Sequence, residues 1–218
     1  MKFIKPFFTI AVSLLLISCL GFSKKEETTK EKIIYIPTEN TEIAYFASGC
    51  FWCVEAIFES VNGVEESVSG YAGGHTKNPT YESSNTGKTG HAETVAVYYN
   101  PKLISFETLV KVYFGSHNPT TVNGQHPDYG SQYRSIAFYQ NGAEKKIIED
   151  AIATLNKEKY DGKIATEVTK LTKFYKAEEY HQNFEKRNPN QSYIKAVSIP
   201  RLNKFKSKFP ELLKDSAH

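Results

Sequence analysis

The strongest constraint in this sequence is a change of hydrophobic period across residues 43–59. Ile43, Ala44, Tyr45, Phe46 and Ala47 form an unbroken apolar run, the pattern of a strand buried on both faces. Ser48 and Gly49 end the run. Beyond them Cys53, Val54, Ala56, Ile57 and Phe58 fall near helical spacing, with Glu55 and Glu59 on the same segment. A buried strand turning directly into an amphipathic helix points to mixed α/β architecture. At the junction stand Cys50 and Cys53, with Phe51 and Trp52 between them. Cys50 is expected at or just before the helix N-terminus, where unpaired amides and the helix dipole favour a thiolate and lower its pKa.

The pattern continues along the chain. Asn62-Gly63 marks a turn, and strands are expected over 64–71, 94–99, 133–139 and 168–175. Helices are expected over 106–114, stopped by Gly115, over 143–157 and over 178–186. Two long polar segments, 74–90 and 116–132, read as loops, and connections of that length usually carry function. The order strand, helix, strand, strand, helix, strand, helix, strand suits a mixed sheet with helices over one face. That is the α+β plait with a ferredoxin-like split βαβ core. A basic tail beginning near residue 191 keeps apolar residues at Ile194, Val197, Ile199, Leu202, Phe205, Phe209, Leu212 and Leu213, and is expected to wrap the domain.

The N-terminus has a different character. Lys2 and Lys5 precede an apolar run ending in Leu16-Ile17-Ser18-Cys19, too short for a comfortable membrane span. It is similar to a bacterial lipobox: residues 1–18 would be a lipoprotein signal peptide, Cys19 the lipidated first residue of the mature chain, and 19–42 a solvated tether rich in Lys, Glu and Thr. The remaining 43–218 would be one domain facing the periplasm or outside of the cell envelope. A formal charge of +3, with lysines spread among acidic residues, argues against nucleic-acid partners. A monomer is expected.

A Cys-x-x-Cys pair can hold a metal, shuttle a disulfide, or supply a nucleophile with its own resolving thiol. Single cysteines are often only small buried apolar residues, but two at a helix start lie within reach of a disulfide. Thioredoxin-type shuttles keep small residues between the cysteines. Here Phe51 and Trp52 suit an apolar pocket instead. His91 and Glu93, with the cysteine pair, have the residue types of a zinc deaminase, but in reversed order and with no Pro before Cys50. A zinc-dependent hydrolase, and a lipid-anchored binding protein without enzymatic activity, remain the alternatives.

Five further segments bear on the choice: Gly49-Cys50-Phe51-Trp52, Gly70-Tyr71-Ala72-Gly73-Gly74, Asn78-Pro79-Thr80-Tyr81, Thr89-Gly90-His91-Ala92-Glu93 and Gly130-Ser131-Gln132-Tyr133-Arg134-Ser135. In this order they resemble the motif series of the A-type peptide methionine sulfoxide reductases. Glu178-Glu179-Tyr180-His181-Gln182 is similar to that family's late motif. The resemblance implies reduction of methionine S-sulfoxide, free or in proteins. Cys50 would be the nucleophile, Glu93 the proton donor, Tyr81 and Tyr133 the phenols on the sulfoxide oxygen, and Asp128 a supporting polar residue. Phe51 and Trp52 would cradle the methyl group, and His91 would be a turn or supporting residue. Many members of the family have Gly where Cys53 stands and carry resolving cysteines in the tail. This tail has none, so Cys53 would resolve the Cys50 sulfenic acid. A thioredoxin-like donor would then reduce the Cys50–Cys53 disulfide, with no bound cofactor.

Overall fold

The computed structural model describes residues 37–215. The expected signal peptide 1–18, Cys19 and the expected tether as far as residue 36 lie outside the described residues. Residues 37–40 are exposed, and Thr41 donates from Oγ1 to Glu65 Oε2 at 2.7 Å.

The first strand, β1 (Glu42–Ser48), leads into α1 (Phe51–Glu59), then β2 (Val64–Ala72). A short helix α2 (Tyr81–Asn85) precedes β3 (Ala92–Tyr99) and α3 (Phe106–Gly115). A small hairpin, β4 (Gly124–Gln125) and β5 (Asp128–Tyr129), comes before β6 (Ser135–Tyr139) and α4 (Gly142–Leu155). Then follow β7 (Glu167–Lys170), β8 (Phe174–Lys176), α5 (Phe184–Arg187) and α6 (Ile199–Lys208).

The sheet order is β7-β6-β1-β3-β2-β8. In its centre β3 pairs antiparallel with both β1 and β2, so β1-α1-β2 is a split βαβ unit; β3-α3-β6 is a second, enclosing β1. This is the plait expected from the element order.

One expected strand is two. The apolar pattern over 168–175 breaks at residues 171–173, and its halves sit on opposite edges of the sheet. Four Cα steps from Lys170 to Phe174 reach at most about 14 Å. Six flat strands would place the edges about 24 Å apart. The sheet is therefore rolled at this end, and the inside of the roll has its own core of Ala47, Ala72, Ala92, Ile136 and Phe138, closed by Tyr45, Leu171 and Phe174. Small residues permit the roll. A Cβ on Gly70 would lie 2.3 Å from the Phe174 ring and 2.4 Å from Tyr175 O.

On the other face α1 and α3 cover the sheet. Phe46 stacks on Phe58 and Tyr113 at 5.2 and 5.0 Å between ring centres. Strand β1 thus buries alternate residues in two different cores, which is why its apolar run is continuous rather than alternating. The tail adds a third layer: Phe205, Phe209 and Leu213 are buried in the main core and Ile194 is fully buried as well, as the expected wrap requires.

Three other readings needed correction. The loop over 74–90 contains α2, whose Thr80 caps it by accepting from Ser83 N at 3.2 Å. The expected helix over 178–186 is a 3-10 turn at Glu179–His181 followed by α5, interrupted at Asn183 by a left-handed φ of 53°. Tyr133 closes a 3-10 turn, Ser131–Tyr133, and is not in the strand.

Candidate active site

Strands β1 and β2 end where their antiparallel neighbours β3 and β6 begin, so both long loops rise beside the N-terminus of α1. The turn between β1 and α1 requires Gly49, at φ +90°, against which Gln125 packs so closely that a Cβ would meet its Cβ at 2.7 Å. Cys50 is the N-cap of α1, with an extended ψ of 124° and no side-chain cap. Cys50 and Cys53 are both buried free thiols.

Glu93 is the second residue of β3, paired with Tyr71. It is 2% exposed, and its Oε2 accepts from Phe51 N at 2.9 Å, using the first amide of α1. Burial pushes its carboxyl up to about 8, against the pull of the Phe51 amide. Near neutral pH it is therefore a carboxylic acid. With one oxygen accepting from Phe51, the other is free to carry the proton.

The two sulfurs differ from the sequence expectation. Burial, a hydrogen bond to Cys53 and the nearby Glu93 push the Cys50 thiol up, not down. The shared hydrogen bond from Cys50 instead lowers Cys53, aided by Arg201, Ser198 and Tyr193. The N-cap position does help Cys50, but desolvation outweighs it. In the resting site the pair shares one proton, with the anion favoured on Cys53.

Tyr81 and Tyr133 are half-buried, and the charges of Glu93, Cys50 and Asp128 raise both phenols after burial does, which places all five side chains in one electrostatic cluster. Both phenols stay protonated and can donate. Tyr81 is fixed at the start of α2, where its N donates to Glu178 Oε1 at 2.9 Å; Glu178 Oε2 accepts from Tyr71 Oη, also at 2.9 Å. Asp128 Oδ2 accepts from Tyr193 Oη at 2.5 Å, and that hydroxyl is 3.9 Å from Cys53 Sγ.

The aromatics between the cysteines divide. Phe51 is 1% exposed and faces Tyr71, Tyr81 and His181, forming a floor. Trp52 is only half-buried. It stacks on Phe184 at 3.8 Å and donates from Nε1 to His181 Nδ1 at 3.1 Å. His91 stands apart: Nδ1 accepts from Gly74 N at 3.1 Å, which leaves Nε2 to donate to Thr76 O at 2.9 Å. Both nitrogens pin the turn at 74–76, so neither is available as a zinc ligand beside the cysteines. Among the described residues no group of three or more His, Cys, Asp or Glu side chains is placed to hold a metal.

The late motif flagged the segment holding Glu178 and His181 without giving either a role; the residues missed altogether are Phe184, Tyr193, Ser198 and Arg201. For Arg201 a signal was present. The chain has 27 Lys plus Arg, of which only Arg134, Arg187 and Arg201 are arginine. A planar fork placed in a lysine-rich tail suggests directed hydrogen bonding. Arg201 indeed donates to Ser116 O and Ser48 O at 3.0 Å each, tying α6 to the end of β1.

Comparison with known proteins identifies the family. The family profile described as peptide methionine sulfoxide reductase matches residues 42–213. A peptide methionine sulfoxide reductase MsrA of Acinetobacter baumannii (strain SDF) is 46% identical over 172 residues, 79% of this chain and 98% of its own. The crystal structure of Mxr1 from Saccharomyces cerevisiae in reduced form is 34% identical, with a TM-score of 0.68 over 73% of this chain and 92% of that one. The same yeast protein in complex with Trx2 matches at 28% identity, with a TM-score of 0.50 over 70% of this chain and 91% of that one. With the acid, the thiol pair and the phenols gathered at the start of α1, this chain belongs to the peptide methionine sulfoxide reductase family.

Proposed function

We propose that the protein reduces methionine S-sulfoxide, free or in proteins, to methionine, and that Cys50 is its nucleophile. The observation that carries the reading is a buried Glu93, its carboxyl pushed up by that burial, at the first amide of the helix that bears Cys50. A sulfoxide is a poor electrophile until its oxygen is protonated. Glu93 supplies that proton, while Tyr81 and Tyr133 hold the oxygen by donating hydrogen bonds to it.

As the S–O bond weakens, Cys50 passes its proton to Cys53 and attacks the sulfoxide sulfur through its own sulfur. Collapse releases methionine and leaves Cys50 as a sulfenic acid. Cys53 then attacks Cys50 Sγ, water departs, and a Cys50–Cys53 disulfide remains. The balance is one sulfoxide and two thiols to one thioether, one disulfide and one water. Phe51 and Trp52 shape the apolar side of the pocket around the substrate methyl group. A dithiol donor of the thioredoxin type returns the disulfide to thiols, a role supported by the yeast relative's complex with Trx2. No bound cofactor takes part.

The same reading extends to location. Lys2, Lys5, the apolar run and Leu16-Ile17-Ser18-Cys19 support cleavage before Cys19, lipidation of its thiol, and a tether that holds the domain off the envelope membrane. Mass spectrometry of the mature N-terminus checks this: a diacylated Cys19 is expected, and an intact Met1 contradicts it.

The activity is tested by incubating a methionine S-sulfoxide peptide with the protein and dithiothreitol. Release of the reduced peptide is expected over many turnovers. No turnover would overturn the proposal, and one tightly bound zinc per chain would favour the hydrolase alternative.

A further inference from the structure

We infer that the dithiol donor attacks the sulfur of Cys50, not that of Cys53, and that Cys53 is the leaving thiolate. This rests on the reading of Cys53 as the resolving cysteine. Thiol–disulfide exchange needs the attacking sulfur in line with the S–S bond, on the side away from the sulfur that leaves. The two sulfurs offer very different approaches.

Cys50 caps the helix and is 6% exposed, with the half-buried phenols Tyr81 and Tyr133 close enough to feel its charge. Cys53 lies one turn further in, 2% exposed. The tail covers it: Tyr193 Oη is 3.9 Å from Cys53 Sγ, and Ser198 closes the π-helical turn Ile194–Ser198 with no exposed surface. An approach to Cys53 from the side away from Cys50 would have to displace the tail segment that sets Tyr193 and the fully buried Ser198 against it. An approach to Cys50 passes through the pocket that methionine has just left.

The chemistry of departure agrees with access. A leaving thiolate at Cys53 meets Arg201, whose positive charge has no need to move, and the hydroxyls of Ser198 and Tyr193. A leaving thiolate at Cys50 would meet the Glu93 carboxyl and the cost of its own burial. The exchange balances as follows. The donor thiolate forms a bond to Cys50 Sγ as the Cys50–Cys53 bond breaks, and both electrons of that bond go to Cys53. The donor's second thiolate then attacks its own sulfur in the mixed disulfide, releasing Cys50; solvent protons restore the resting pair, and the donor leaves as a disulfide. One consequence is that the donor and the substrate use the same mouth, so methionine must depart before reduction begins.

The test oxidises the wild-type protein with one equivalent of methionine S-sulfoxide and counts free thiols by alkylation and mass. A thioredoxin-type donor whose second cysteine is replaced by serine is then added, and the trapped mixed disulfide is mapped by proteolysis. The expected product has the donor on Cys50, with Cys53 free and alkylated. A donor on Cys53 would overturn the inference alone, leaving the resolving role intact. If the oxidised protein shows no Cys50–Cys53 disulfide before the donor is added, the resolving role fails and the inference fails with it.

Discussion

The first turn of α1 presents one sulfur to each of two regions with different histories in the chain. Cys50 faces a pocket built from β3, α2 and the 3-10 turn at Ser131–Tyr133, whose acid Glu93 and phenols Tyr81 and Tyr133 are all neutral donors. Cys53 faces the tail, which supplies a guanidinium and two hydroxyls. The pocket side is arranged to deliver a proton, and the tail side to hold a negative charge. Two identical side chains three residues apart thereby acquire different work, and the difference comes from what packs over the helix rather than from the helix itself.

Removing the pocket-side sulfur tests the comparison most severely. Cys50→Ser is expected to abolish methionine formation completely, because Cys53 has no access to substrate; residual turnover in a peptide assay would mean that the two sulfurs are interchangeable. Glu93→Gln is expected to lower kcat by roughly a hundredfold or more, the usual contribution of a positioned acid, with KM little changed. Its pH profile sharpens the point. Wild-type rate needs one proton fewer on the thiol pair and one still on Glu93, so it should fall on the alkaline side near the Glu93 value of about 8. That limb should be missing from Glu93→Gln. A wild-type kcat with raised KM would instead make Glu93 a binding residue.

A smaller loss is expected from Tyr133→Phe, about tenfold to a hundredfold in kcat for one donor to the developing oxygen charge, with the thiol count after a single turnover unchanged. The smallest effect belongs to a face of α1 that serves neither sulfur. Glu55 accepts from Ser69 Oγ and Asn183 N, and burial raises its carboxyl from 4.5 to about 8. The folded state then keeps a proton that the unfolded chain releases, so stability present below pH 4.5 is lost as pH rises toward 8. Glu55→Gln should flatten the fall of Tm between those values while leaving the sulfur chemistry unaltered; a slope equal to wild type would show that Glu55 is ionised in the fold.

The pocket side was readable from the residues because its parts are local and patterned. The strand-to-helix junction, the 64–71 and 94–99 strands and the two long loops each carry a periodic or turn signal, and the plait follows from their order. The Cys50 environment was readable in identity but not in sign: the N-cap position argues for a lowered thiol, and burial, the hydrogen bond to Cys53 and the nearby Glu93 reverse it. The break at 171–173 was invisible because both halves of the segment are apolar enough for one strand, and the roll of the sheet is a property of six strands together. The tail gave its apolar positions but not its chemistry. Tyr193, Ser198 and Arg201 reach Cys53 from 140 or more residues away in sequence, as the Cys53–Tyr193 contact measures. Nothing local marks such residues beyond an arginine among lysines.

The unequal roles of the two sulfurs are tested most directly by a single anaerobic turnover without reductant, comparing wild type with Cys53→Ser. Both should release about one methionine per chain. Wild type should then have neither thiol open to alkylation, whereas Cys53→Ser should hold a trappable sulfenic acid on Cys50 and stall with a thioredoxin-type donor. Normal cycling of Cys53→Ser with that donor, or methionine released by wild type with both thiols still free, would contradict the assignment.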